Sequence, residues 1–169
     1  AAPAALTQAL MTAPDVCSTI PVTILTIRSV VIFWFGVRRG SAIVFAAAIA
    51  GAGVLSYALK LGFHRTRPPP FFGLAVPDSF SFPSGHSLMA LTFYGVLAYL
   101  IGSRVQRASI RTAIWVLAIL ITLMIGFSRI YLGVHYSSDV IAGYAAGAVW
   151  VLTVTMVDRL MMRSGFMEA

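Results

Sequence analysis

Three short stretches concentrate the side chains suited to chemistry. The first is Lys60-Leu61-Gly62-Phe63-His64-Arg65-Thr66-Arg67-Pro68. The second is Pro83-Ser84-Gly85-His86. The third runs from Ser128-Arg129 through His135 to Asp139. Lys60, Arg67 and Arg129 are three cations whose nearest carboxylates in the sequence are Asp78 and Asp139. Cations so placed attract an anion. An Arg fork matches phosphate oxygens, and a Lys ammonium acts on them as a point charge. Ser84 and Gly85 stand just before an apolar run, where the N–H groups of a helix N-terminus bind anions. Gly85 also lets a ligand approach the backbone closely. A phosphate group satisfies these demands.

Two histidines and one aspartate complete the set. Asp139 follows His135 by four residues, so the two share a face if the segment is helical. A carboxylate on one ring nitrogen fixes the tautomer and leaves the other nitrogen as a nucleophile. His86 can serve as general acid and then as general base. No cluster of Cys, Asp or Glu suits metal-assisted hydrolysis, so no metal and no cofactor are expected.

The elements that must position these residues are apolar helices. Of 169 residues, 59% are hydrophobic and only 10% charged, against about 25% charged in an ordinary soluble domain. A soluble chain of this length needs a charged shell that this one cannot build, so soluble, disordered and fibrous classes are excluded. A single all-α, polytopic membrane bundle over residues 1–169 is expected. The lone Cys17 excludes an intrachain disulfide. Five spans are predicted at about 16–37, 41–59, 87–103, 112–128 and 140–157, each near the ~20 residues a crossing needs. None shows the two-residue alternation of a barrel strand. Residues 1–15 read as a short surface helix.

Arg38 and Arg39 join spans one and two. Arg104, Arg107 and Arg111 join three and four, and Arg159 and Arg163 follow five. The positive-inside rule makes that face cytoplasmic and puts the three motifs on the other face. The net charge of +7 therefore divides between loop bias and an anion site. No nucleic-acid motif accompanies it. Five spans is an odd count for this layout, and a further N-terminal span or a cleaved signal is expected to precede the chain. The alternative is a five-span protein with its N-terminus outside.

The three stretches resemble the signature of the type 2 phosphatidic acid phosphatase superfamily. Its first motif, Lys, six residues, Arg-Pro, matches Lys60, Arg67 and Pro68. Its second, Pro-Ser-Gly-His, matches Pro83 to His86. Its third, Ser-Arg, five residues, His, three residues, Asp, matches Ser128, Arg129, His135 and Asp139. The resemblance implies a membrane lipid phosphate phosphatase working through a phosphohistidine at His135. His86 would protonate the leaving oxygen and later activate water, and Asp139 would orient His135. Lys60, Arg67, Ser84, Gly85 and Arg129 would hold the phosphoryl oxygens. It further implies vanadate sensitivity, a lipid substrate such as phosphatidylglycerol phosphate, phosphatidic acid or polyprenyl diphosphate, and no obligatory protein partner. The expected location is a bacterial inner membrane, with the site on the extracytoplasmic face. Membrane members commonly have six spans.

Other residues carry open readings. Arg28 falls mid-span, where a cation costs about 2.5–3.5 kcal/mol on insertion scales. It lines a substrate route, pairs inside the bundle, or marks a shifted span register. His64 and Arg65 read equally as head-group contacts or as parts of the site. Pro68-Pro69-Pro70-Phe71-Phe72 is either a lipid-dipping gate or a stiff turn. Gly51, Gly143 and Gly147 read as close helix packing. Trp34, Trp115, Trp150, Tyr94 and Tyr99 read as belt or packing aromatics. Against hydrolysis stands a transporter or channel with an anion-lined cavity, although the inverted repeats and broken helices of such folds are absent. A vanadate-dependent haloperoxidase is the other alternative, and its known members are soluble.

Overall fold

The computed structural model describes residues 19–36, 39–69 and 78–164. All regular structure among them is helical. The helices are α1 (Thr19–Gly36), α2 (Arg39–Phe63), α3 (Gly85–Gly102), α4 (Ala108–Tyr131) and α5 (Ser137–Arg163). The last four are long and apolar enough to cross a membrane. In α1 the apolar stretch Ile24–Gly36 is shorter. Among the described residues four helices meet the length and apolarity of a crossing, and α1 (Thr19–Gly36) lies where the first of the five expected spans falls; the surface helix expected at 1–15 lies outside the described residues.

The helices also overrun the predicted spans. Helix α2 continues past 59 to Phe63, α4 past 128 to Tyr131, and α5 starts at Ser137 rather than 140. Hydropathy marks where side chains suit hydrocarbon. Backbone hydrogen bonding continues through polar turns wherever caps close it. Five of the expected site residues, Lys60, Gly85, His86, Arg129 and Asp139, therefore lie on helix ends.

Helix α3 is the central strut. It packs against α2, α4 and α5, while α1 packs on α2. Over half of the α3 span is buried, 56%, against 22–28% in the other three. The outer faces of α4 and α5 expose Leu117, Leu120, Ile141 and Leu152, as lipid-facing surfaces should. Between apolar lipid and apolar core there is little hydrophobic gain, so packing and close approach hold such helices. Phe33, Phe45 and Phe93 form one aromatic column, with centroids 5.9 and 5.2 Å apart. Trp150 lies across Gly51, where a Cβ would sit 2.1 Å from its ring, and its Nε1 donates to the Ala48 carbonyl at 2.8 Å. Tyr99 also packs inward and donates to buried Asp158 at 2.8 Å. Arg28 is exposed on α1 rather than paired inside the bundle.

Direction along the chain follows. Helices α2 and α4 end where α3 and α5 begin, so the three motif stretches meet at one end of the bundle. The arginines at 39, 104, 107, 111, 159 and 163 collect at the other end.

Candidate active site

Helix α3 begins at a Ser84 N-cap, whose Oγ accepts from the Ser87 N–H at 3.5 Å and from the Ser87 hydroxyl at 3.1 Å. The Ser84 N–H donates to the Asp139 carbonyl at 2.9 Å. That bond stitches the start of α3 to the start of α5, and it spends an amide expected to face a phosphoryl group. The first-turn amides of Gly85 and His86 have no partner within the helix. They carry the anion-binding potential that the sequence assigned to Ser84 and Gly85 together. The stitch depends on Gly143, where a Cβ would lie 2.6 Å from the Ser84 carbonyl oxygen. Gly85 works similarly, since a Cβ there would lie 3.2 Å from Ser56 Oγ and 3.8 Å from Lys60 Cε. The close neighbour of Gly85 is thus the end of α2, which lays Lys60 over the α3 N-terminus.

The α4–α5 turn is tight. Gly133 takes φ 69°, a conformation that glycine adopts without strain. Its N–H bonds the Ile130 carbonyl, and the Val134 N–H bonds the Arg129 carbonyl. Helix α5 opens when the Asp139 carboxylate reaches back to accept from the Tyr136 N–H at 2.9 Å. An acid in the first turn also suits the helix dipole. This turn carries His135 into the interior at 4% exposure and Asp139 at 0%.

His135 stands between two partners. Its Nδ1 is 3.5 Å from Asp139 Oδ2 and 3.5 Å from Ser81 Oγ. Its Nε2 is 3.1 Å from Arg67 Nη1. A guanidinium can only donate, so Nε2 is the acceptor and Nδ1 carries the proton toward Asp139. Nε2 therefore carries the ring's unprotonated lone pair, and Arg67 donates to it, so that nitrogen is engaged rather than free in this structure. Burial first, and then Arg67 and Lys60, lower the His135 pKa to about 4 against the opposing pull of Asp139. Its ring is neutral at physiological pH. Burial likewise lowers the Arg67 pKa, and Asp139 opposes the shift.

The cations hold loops together as well as facing the histidine. Arg67 donates to the Ser79 carbonyl at 2.8 Å, Ser79 Oγ at 2.9 Å and the Val134 carbonyl at 3.0 Å. Lys60 donates to the Phe80 carbonyl. A phosphoryl group would compete with these carbonyls for the same N–H donors. Arg129, 5% exposed in the last turn of α4, is the most deeply buried of the three. The charges acting on the His86 ring are those of Arg129, His135, Arg67 and Lys60. All three motif stretches therefore converge around His86 and His135.

One contributor, Ser81, escapes the sequence reading, and another, Arg65, is settled between the two roles left open for it. Ser81 is fully buried and donates to Asp139 Oδ2. Arg65 donates to Asp139 Oδ1 at 2.9 Å and to Ser138 Oγ at 2.8 Å. Arg65 and Arg67 are two apart in non-helical chain, where alternate side chains share a side. That spacing was a usable signal for Arg65; Ser81 had none. His64 instead turns its ring onto Phe80, with centroids 4.6 Å apart. Phe71 and Phe72, the candidate gate, lie outside the described residues. Among the described residues, no group of three or more His, Cys, Asp or Glu side chains is placed to share a metal ion.

The PAP2 superfamily profile matches residues 41–162. Phosphatidylglycerophosphatase B of Bacillus subtilis is 36% identical over 111 residues, covering 65% of this chain and 54% of that protein. A lipid A 1-phosphatase of Rhizobium etli is 33% identical over 141 residues, covering 77% and 53%. The chain spans about half the length of these relatives. Among solved structures, a transmembrane PAP2-type phosphatidylglycerolphosphate phosphatase from Bacillus subtilis superposes with TM-score 0.84 at 25% identity. That match covers 94% of this chain and 79% of the other. LpxE of Aquifex aeolicus superposes with TM-score 0.62 at 27% identity, covering 92% and 88%. A profile match over most of the chain, with all three motifs gathered at one end of a matching helical bundle, has one consequence: the chain belongs to the PAP2 superfamily.

Proposed function

We propose that this protein is a metal-independent membrane lipid phosphatase acting through a phosphohistidine. One observation carries the reading: His135 lies between Arg67 at Nε2 and a buried Asp139 at Nδ1. That arrangement keeps Nε2 unprotonated, and its lone pair becomes available to phosphorus when Arg67 turns from it onto a phosphoryl oxygen. Nε2 attacks phosphorus and the P–O bond to the lipid breaks. The departing oxygen takes that electron pair and a proton from His86. Asp139 stabilises the Nδ1–H of the charged ring that results. His86, now a base, takes a proton from water, the water oxygen attacks phosphorus, and the P–N pair returns to Nε2. Lys60, Arg67, Arg129 and the amides at Gly85 hold the phosphoryl oxygens, where transition-state charge accumulates. Ser84 contributes by fixing the α3 N-terminus against α5. Vanadate, which adopts the five-coordinate geometry, inhibits.

The substrate is a phosphomonoester or diphosphate of a lipid, the class of compound for which the relatives are named. The site opens on the extracytoplasmic face of a bacterial inner membrane, and lipid approaches within the bilayer. The test is phosphate release by purified protein in excess EDTA. The panel is phosphatidylglycerol phosphate, phosphatidic acid, polyprenyl diphosphate and lipid A 1-phosphate. Release from at least one lipid, abolished by vanadate, is expected. A strict requirement for added Mg²⁺, or no release from any lipid, contradicts the proposal.

A further inference from the structure

Arg65 lies outside the three-motif signature, yet it is bound into the nucleophile's support. Its Nη1 reaches both Asp139 Oδ1 and Ser138 Oγ. Its guanidinium stacks on the Tyr136 ring at 4.2 Å from the centroid. Its carbonyl accepts the Ser81 N–H at 2.8 Å, and Ser81 Oγ donates to Asp139 Oδ2. The Tyr136 N–H donates to that same oxygen. Arg65 thus grips Asp139 directly through its side chain and indirectly through its backbone, by way of Ser81. His64 at φ 47° makes the turn that ends α2 and points Arg65 across to α5. A head-group contact would need none of these bonds, and the guanidinium is committed to a carboxylate that is itself fully buried.

We infer that Arg65 is a positioning residue for the reaction, holding Asp139 so that its Oδ2 faces His135 and limiting the negative charge that His135 experiences. This rests on the phosphohistidine reading above. A carboxylate with one oxygen neutralised by Arg65 orients the Nδ1–H without drawing a second proton onto the ring, so Nε2 stays a nucleophile. The charged and titratable groups around His135 are Lys60 from α2, Arg67 from the segment after it, His86 from α3 and Asp139 from α5, with Arg129 of α4 acting on His86. Arg65 acts on the ring through Asp139, and removing it leaves that carboxylate's charge less offset. Its removal therefore raises the proton affinity of His135.

The experiment uses the full chain in detergent. Wild type is first shown to trap phosphate on His135, and failure there overturns the phosphohistidine reading rather than this inference. Arg65→Gln, Arg65→Ala and Arg65→Lys are then compared by single-turnover phosphoenzyme formation across pH, by KM and by thermal unfolding. A charge-assisted hydrogen bond is worth about tenfold to a hundredfold, so Arg65→Gln and Arg65→Ala should slow phosphorylation by that factor with KM unchanged. Their acid limb should move to higher pH, and Arg65→Lys, which can still reach Oδ1, should recover most of the rate. A raised KM with an unchanged rate would make Arg65 a substrate contact instead. An acid limb that does not move, with equal losses in all three variants, would reduce its role to structural support. Should Arg65→Ala not fold, the Lys and Gln pair alone still decides.

Discussion

The proposed role of His135 depends on its ring being uncharged. Burial and the cations Arg67 and Lys60 push its pKa to about 4, so the ring stays neutral far below the usual 6.5. The sign is that of a depressed base. The folded protein binds fewer protons than the unfolded chain between those values, so this group removes stability as pH falls through that window, and the loss is complete near 4. Ring resonances of His135 in the free protein should therefore hold steady from about pH 8 to pH 5 and move only near 4. Titration near 6.5 would mean that the burial or the cations are misjudged. Much at this scale was readable in the sequence: Lys60, Arg67, His86, Arg129, His135 and Asp139 all converge as their spacing implied. Ser81 was not readable, because its link to Asp139 spans 58 positions and belongs to no local pattern. Ser84 was read in part. A serine before an apolar run signals a cap, but nothing local shows that its amide goes to Asp139.

Helix ends, more than helix bodies, build the site. Apolar runs revealed α1 to α5, but the polar end turns of α2, α4 and α5 are helical too because caps and tight turns close them. Gly133 turns α4 back within a few residues, and Gly143 lets α5 lie against α3 closely enough for the Ser84–Asp139 bond. Gly143→Ala would place a Cβ 2.6 Å from a backbone oxygen, which cannot move as a side-chain tip can. Overpacking of this kind costs about 1–3 kcal/mol, so the variant should melt earlier and lose phosphatase activity. Gly53→Ala is the matched control, since a Cβ there meets nothing within 4 Å. Equal melting temperatures for the two variants would show that α3 and α5 do not approach so closely. The sequence pointed to close packing at Gly143 and Gly147, but not to its consequence for the Ser84–Asp139 bond.

For the whole molecule, the four ends that build the site share one side of the bundle, and six described arginines mark the other. That asymmetry predicts orientation. In a Cys17-free background, a cysteine at Asp78 should react with an impermeant thiol reagent in intact cells, and one at Gln106 should not; the reverse pattern would invert the topology. On the proposed mechanism the converging ends perform phosphoryl transfer, with His135 as nucleophile and His86 as proton carrier. General acid help is worth about 10²–10⁴-fold and matters most for a strongly basic leaving group. A lipid alkoxide is such a group, and p-nitrophenolate is not. Rapid-quench trapping of acid-labile phosphoprotein, with an activated aryl phosphate as substrate, tests this most directly. Wild type should trap phosphate transiently, His86→Ala should form the phosphoenzyme and then fail to clear it, and His135→Ala should trap none. Phosphate trapped on His135→Ala but never on His86→Ala would contradict the assignment of the two histidines.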